Sequence, residues 1–385
     1  MTADEKLPSA SWLGRCRAAL VDRLELSRGG TGHNVRPMEG LRGFAVFLVF
    51  LVHYISLSLP WVPVDSVQAQ WAHGLHAMGN VGVDLFFVLS GYLIYGSLVA
   101  KRQAYGAFIW RRVVRIYPTF LVVFALYLAL SLLFPAESKL PEGGLEVAWY
   151  LLANLLLLPG LAPIEPMITV AWSLSYEFAY YLVTPFVVLL LGLHQRTPVW
   201  RLVCFVLAGV LALVGFGIWG GPVRLAMFVA GIVLYECLLI APRTRGRSAW
   251  GGLALVAALA LAAWPAAGHA GLALKLGLLG VLFLVVCHSA FTDATGRLAQ
   301  ALSWTPLRWL GNISYSYYLI HGLALKGMFM VVAKWWPPAP EPGVFLWLPL
   351  AFVLSCVPSL ALFLLIERPW SLAPQPRKAR AALPA

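Results

Sequence analysis

Charge is what this sequence has least of. Asp, Glu, Lys and Arg make up 11% of its 385 residues, where soluble domains carry about 25%. So few charges cannot cover a chain that is 61% hydrophobic, which excludes an ordinary water-soluble fold. Cysteine is sparse as well. Cys16, Cys204, Cys237, Cys287 and Cys356 are the only five, four of them within apolar runs and none in a CxxC pair. That leaves no disulfide framework and no thiolate metal site, so no metal is expected. The alternating segments of roughly ten residues that mark a transmembrane barrel are missing, and no repeat of about 20–50 residues stands out. Residues 1–35 lack the basic head and short apolar core of a signal peptide. They read as a cytosolic tail, with a short amphipathic helix around residues 10–26.

Long apolar runs take the place of all these. They lie near 41–59, 79–99, 116–134, 170–193, 201–219, 222–240, 251–267, 270–291, 309–333 and 344–366, each about the length a helix needs to cross roughly 30 Å of hydrocarbon. An eleventh run, 147–159, is short and ends in Pro159-Gly160. With ten spans and both termini cytoplasmic, all but Lys139, Arg224, Lys275, Lys326 and Lys334 of the 28 basic residues fall on the cytoplasmic side. Promoting 147–159 to a span would move the RTRGR loop (243–247) and the basic C-terminal residues outside, against the positive-inside rule. The expected fold is therefore an all-α integral membrane protein, a bundle of about ten transmembrane helices, with 147–159 re-entrant or interfacial. A tail (1–35), a transmembrane domain (36–370) and a basic C-terminal tail (371–385) are its expected parts. The net charge of +12 follows from this topology and does not call for a nucleic-acid partner.

Three titratable residues interrupt the apolar runs at similar depth. His53, Asp84 and Glu177 each lie roughly 8–10 Å below the outer interface at 1.5 Å per residue. Ionisable groups in spans usually face a bundle interior or wet cavity and pair with one another. An imidazole oriented by either carboxylate is a general base for a hydroxyl; the alternative is a polar cluster that fixes helix packing. Arg111 and Arg115, or Arg112 and Arg115, are spaced to share a helical face. Guanidinium forks suit phosphate oxygens, though arginines there also anchor helices and touch lipid headgroups.

Six stretches depart from plain Leu/Val/Ala helices: RPMEGLRG…H (36–53), GNVGVDLFFVLSGYLI (79–94), FIWRRVVRIYP (108–118), AWSLSYEFAYYL (171–182), LGNISYSYYLIH (310–321) and IERPW (366–370). In this order they resemble the acyltransferase family 3 membrane proteins, which O-acylate sugars and some small molecules. The resemblance covers roughly residues 36–370. Glu39 departs from it, since Asp is usual there, and the soluble catalytic domain that some members append is not seen.

The resemblance implies a membrane O-acyltransferase, expected to be an O-acetyltransferase of a bacterial inner membrane. Acetyl-CoA or another acyl-CoA is the expected donor, as a substrate and not a tightly bound cofactor. The expected acceptor is a hydroxyl of a cell-envelope or exported polysaccharide, a glycolipid, or a small-molecule glycoside. His53 is the expected base, with Asp84 or Glu177 as its partner. Arg36, Glu39, Arg42, Arg111, Arg112, Arg115 and Ser90 are the donor-side candidates. Trp172, Tyr176, Ser314, Tyr315 and His321 are candidate relay or acceptor contacts. Gly91, beside Ser90, either packs closely against another helix or leaves room for the slender pantetheine arm. Glu367 reads as an ion pair at the membrane edge that stops the last helix. A rival reading is a transporter or flippase with a proton-coupling His/Asp/Glu site, although no matching halves with broken helices are visible.

Overall fold

The apolar runs become helices because they hold few prolines and no charge clusters, and polar caps mark where several begin. Ser66 accepts a hydrogen bond from the Ala69 amide (3.1 Å) and Thr197 one from the Trp200 amide (3.3 Å). Both satisfy amide groups that a helix start leaves open. The computed structural model describes residues 21, 23–26, 35–240, 248–293, 295–339 and 342–372. In chain order its helices are α1 (Val35–Ser58), α2 (Val67–Ala100), α3 (Tyr105–Leu133), α4 (Gly144–Leu155), α5 (Ala171–Leu190), α6 (Pro198–Trp219), α7 (Ala226–Ile240), α8 (Ser248–Ala263), α9 (Gly268–Thr292), α10 (Arg297–Leu302), α11 (Thr305–Asn312), α12 (Ser314–Trp335) and α13 (Leu348–Leu362), followed by a π-helical segment, Phe363–Ser371. Among the described residues no strand occurs. Among the described residues nine helices are long and apolar enough to cross a bilayer, and α8 contains a shorter tenth, Trp250–Ala263. The protein is an all-α, multi-span integral membrane protein.

Three runs differ from their sequence reading. Helix α2 has 34 residues, roughly 51 Å at 1.5 Å per residue. It starts at Val67 and not near 79, because the Ser66 cap opens a polar helical extension that a hydropathy window passes over. The run at 309–333 is divided by a turn at Ile313, which makes α11 a separate short helix. The last run ends in the wider π-helical turn, with Pro369 inside it. The short run 147–159 forms the 12-residue α4. At roughly 18 Å this helix is too short to span. The helix expected around 10–26 lies almost wholly outside the described residues. Cys16, the RTRGR loop and residues 373–385 lie outside them as well.

Helices α1 and α2 form the buried centre, and α6 lies at the rim with most of its apolar face exposed. Against α1 pack α2, α11 and α12; against α2 pack α7, α8 and α5. Glycine permits two of these approaches. A Cβ at Gly311 would lie 1.8 Å from the Glu39 carbonyl oxygen, and one at Gly91 would lie 2.2 Å from that of Phe228. Gly91 is thus a helix contact and not an opening.

Buried charges hold the bundle in register. Arg201 makes a bidentate pair with Glu236 (2.7 and 3.0 Å), and Tyr95 donates to the same carboxylate (2.5 Å). Arg308 of α11 bonds Glu39 (3.0 Å) and Glu25 (2.6 Å). Burying such ions is tolerable only with their partners in place, and removing one partner typically costs about 3–5 kcal/mol.

Candidate active site

Two cavities within the bundle share one lining residue. The narrower, about 160 Å³, lies where α2, α3, α5 and α12 converge. Three arginines face it: Arg42 from α1, and Arg112 and Arg115 from α3. Neighbouring groups position each of them. Arg42 donates to the Ser314 hydroxyl at 2.8 Å. Arg115 donates to Glu367 at 2.6 Å, and its guanidinium lies 5.4 Å from the centre of the Tyr315 ring. Arg112 is held by aromatic faces, Phe108 at 5.1 Å and Tyr181 at 5.4 Å, and its buried Nε has no hydrogen-bond partner. A buried cation with an unmatched donor is suited to an anionic oxygen.

Glu367 is fully buried in the π-helical turn and also accepts from the Ser316 amide (3.0 Å) and hydroxyl (2.5 Å). It therefore forms the ion pair expected from IERPW, with Arg115 as the partner, and ties the last helix to α3 and α12, but it does not stop that helix, which runs on to Ser371. π-Turns of this kind recur at functional sites because they redirect a side chain.

The wider cavity, about 500 Å³, is walled by α1, α3, α12 and the loop at 167–170. His53 faces it, half-buried and with no hydrogen-bond partner among the described residues. Helix α4 supports this wall from behind. Asn154 accepts from the Met167 amide (2.8 Å) and donates to the Tyr150 and Glu165 carbonyls (3.0 and 3.3 Å). Burial pushes the Tyr150 phenol up to about 12, so it stays neutral. At the far end of the cavity Lys326 pairs with Glu137 (2.6 Å) and Lys139 with Glu165 (3.0 Å). The Lys326 hydrogen bond holds the exposed Glu137 carboxyl below its ordinary value.

Tyr318 lines both cavities. Its hydroxyl lies 2.5 Å from the Ser173 hydroxyl and donates to the Val170 carbonyl (3.3 Å). One α12 side chain, pinned to the start of α5, is thus part of the partition between them. One turn further along α12 stands the fully buried His321. Its Nδ1 donates to the Tyr317 and Tyr318 carbonyls (2.9 and 3.0 Å), which leaves Nε2 as an acceptor with no partner. The His321 ring is 5.0 Å from that of His53, edge to face.

This arrangement revises several expectations. The neighbour of His53 is His321, not a carboxylate. Asp84 is buried against Arg224, whose Nη1 donates to it at 3.3 Å and to the Asn80 carbonyl at 3.2 Å. That arginine, from the turn before α7, could not be matched to Asp84 by spacing. Glu177 faces the narrow cavity, accepting from Ser90 (2.7 Å) and Tyr181 (2.5 Å). Helix rotation turns it away from His53 despite the similar depth.

The donor-side candidates divide. Arg42, Ser90, Arg112 and Arg115 line the narrow cavity, as do Ser314 and Tyr315. Glu39 is engaged with Arg308, while Arg36 and Arg111 are exposed and line neither cavity. Arg111 instead bonds Gln103. Trp172 sits beneath Arg224 and beside Tyr176, and both rings are packing contacts outside the two cavities. Tyr318 is the residue that sequence reading passed over. Its signal was the three-residue offset from His321, which puts both on one helical face.

Comparison with known proteins agrees with the geometry. Residues 37–368 match the family model described as an acyltransferase domain. The chain is 30% identical over 325 residues to acyltransferase MdmB of Streptomyces mycarofaciens, a match covering 75% of this chain and 78% of that protein. It is 25% identical over 321 residues to peptidoglycan O-acetyltransferase OatA of Listeria monocytogenes, covering 74% of this chain but 49% of the relative. With O-acetyltransferase OatA of Staphylococcus aureus it shares 31% identity over 174 residues, or 42% of this chain and 26% of that protein. The chain thus spans about half the Listeria relative and a quarter of the Staphylococcus one. No solved structure matches. With its helical bundle, its paired cavities and a family match over most of its length, the chain belongs to the acyltransferase 3 family and is a membrane acyltransferase.

Proposed function

We propose that this enzyme moves an acyl group, expected to be acetyl, from acyl-CoA to a hydroxyl of a cell-envelope or exported saccharide. The observation that carries the reading is the meeting of the two cavities at Tyr318. On one side stand Arg42, Arg112 and Arg115, suited to the phosphates and the thioester arm of the donor. On the other, His53 faces a space large enough for part of an acceptor.

In the proposed reaction His53 takes the proton of the acceptor hydroxyl as its oxygen bonds to the thioester carbonyl carbon. The carbon–sulfur bond then breaks, and the departing thiolate takes the proton back from the imidazolium as free coenzyme A. The His321 ring, 5.0 Å away and edge to face, packs beside the base and helps to orient it. The arginine-lined end is assigned to the cytoplasm, in keeping with the distribution of basic residues. A bacterial inner membrane is the proposed location, as the relatives come from bacteria.

The test is transfer of label from acetyl-CoA by the purified full chain with candidate glycans. Wild type is expected to release coenzyme A and label the glycan, whereas His53→Ala does neither above background. Equal transfer by both would remove His53 from the mechanism. Substrate flux across vesicles with no acyl transfer would favour a transporter.

A further inference from the structure

The lysines at the outer end of the wide cavity are unusual for their position. Only five of the chain's 28 basic residues fall outside the segments assigned to the cytoplasm. Three of them, Lys139, Lys326 and Lys334, line this one cavity. Two of the three are paired, Lys326 with Glu137 in the lining and Lys139 with Glu165 just outside it, which leaves the charge of Lys334 in excess. Lys334 is exposed and has no ion-pair partner among the described residues. The membrane's preference for basic residues on the cytoplasmic side works against this cluster, so retention of a helix end does not account for three lysines in one place.

Below the lysines the walls are apolar, with Leu130, Leu323, Met330 and Val331 among them. Met330 and Val331 are 43% and 58% exposed, as is Phe134 at 52%. These lining residues are exposed, so the cavity wall is open there and not closed by a further helix, a side we assign to lipid. His53 stands at the inner end.

Resting on the acyl-transfer reading, we propose that the acceptor is an anionic amphiphile whose apolar body lies between α3 and α12. Its phosphate or carboxylate is held by Lys334 with Lys139 and Lys326, and the hydroxyl to be acylated reaches His53. A neutral, fully polar glycan would leave the apolar walls and the unpaired ammonium without matching groups.

Binding to the full chain in phosphatidylcholine vesicles, without any acyl donor, tests this separately from catalysis. The probes are glucosyl decyl phosphate, decyl glucuronide, neutral decyl glucoside and tail-less methyl glucuronide, each corrected for partition into protein-free vesicles. Both anionic decyl probes are expected to bind about tenfold tighter than decyl glucoside, the scale of one charge-assisted hydrogen bond. The tighter of the two identifies phosphate or carboxylate as the recognised group. Raising salt from about 20 mM to about 500 mM should shrink the preference, as for any solvent-facing charge contact. Lys334→Gln should lose most of the preference while binding decyl glucoside as before, and Lys334→Arg should keep it. Equal binding of charged and neutral decyl probes would overturn the proposal. So would an undiminished preference in Lys334→Gln, or methyl glucuronide binding as tightly as decyl glucuronide. Selective binding without acyl transfer would instead count against the catalytic reading alone.

Discussion

The two cavities are built by opposite means. The narrow one is made of charge: three arginines positioned by Ser314, Glu367 and aromatic faces, with Glu177 held by Ser90 and Tyr181. The wide one is made of apolar helix faces, with one histidine at the inner end and lysines at the outer. Almost every polar group of the first is fixed by a neighbour, whereas His53 and Lys334 in the second are not. Prepaid positioning suits a ligand of constant chemistry, such as a coenzyme. A loosely lined chamber with few fixed polar groups tolerates change in its ligand. Under the proposed mechanism, donor recognition would fall to rigid ion pairs and acceptor choice to cavity shape and rim charge.

The strongest test of that contrast is His53→Ala. Removing the proposed general base should lower transfer about 10²–10⁴-fold, while equilibrium binding of acetyl-CoA, the proposed donor, stays as in wild type. The imidazole makes no hydrogen bond among the described residues, so the fold should persist. Loss of donor binding in this variant would merge the two regions into one.

Glu367→Ala should damage the narrow cavity through stability as well as binding. It strands Arg115 and the Ser316 groups, and the loss of a buried partner costs about 3–5 kcal/mol. A lower unfolding temperature in detergent and a raised donor KM are expected together. Unchanged stability would mean that water reaches this pair freely.

Arg112→Gln should act on binding alone, since among the described residues Arg112 makes aromatic contacts and no ion pair. A rise in donor KM of about tenfold is expected from one lost charge-assisted contact, with the acceptor KM unmoved. Equal changes in both constants would point to a folding defect.

The smallest effect is expected at the partition. Tyr318→Phe keeps the ring but removes the bonds to Ser173 and Val170. A single hydrogen bond of about 1 kcal/mol corresponds to roughly a fivefold change. That change should favour thioester hydrolysis over transfer as the wall loosens. An unaltered ratio would remove Tyr318 from the boundary.

Much of this molecule was legible before folding. The multi-span helical bundle followed from run length, with nine long apolar helices and a shorter tenth among the described residues where ten spans were expected, and the shortness of 147–159 already marked α4 as something other than a span. His53 and the Arg112/Arg115 pair stood out because charge in an apolar run is costly enough to need a reason. Pairings were not legible. Depth along a helix is readable from residue number, but rotation about its axis depends on what it packs against. Asp84 and Glu177 match His53 in depth and still face Arg224 and the narrow cavity. Glu367 and Tyr318 were hidden for the same reason. Glu367 looked like a helix stop, and Tyr318 was not singled out at all.

By itself, then, the sequence determined a multi-span helical bundle, the helices that carry chemistry and the set of charges the membrane must accommodate, since hydrophobicity and run length act locally. Tertiary structure decided which charges meet. It gave Glu367 to Arg115 and His321 to His53, and it put Tyr318 between the two cavities. These contacts join residues far apart in the chain, and only the rotation and crossing of packed helices bring them within hydrogen-bonding or ring-contact distance.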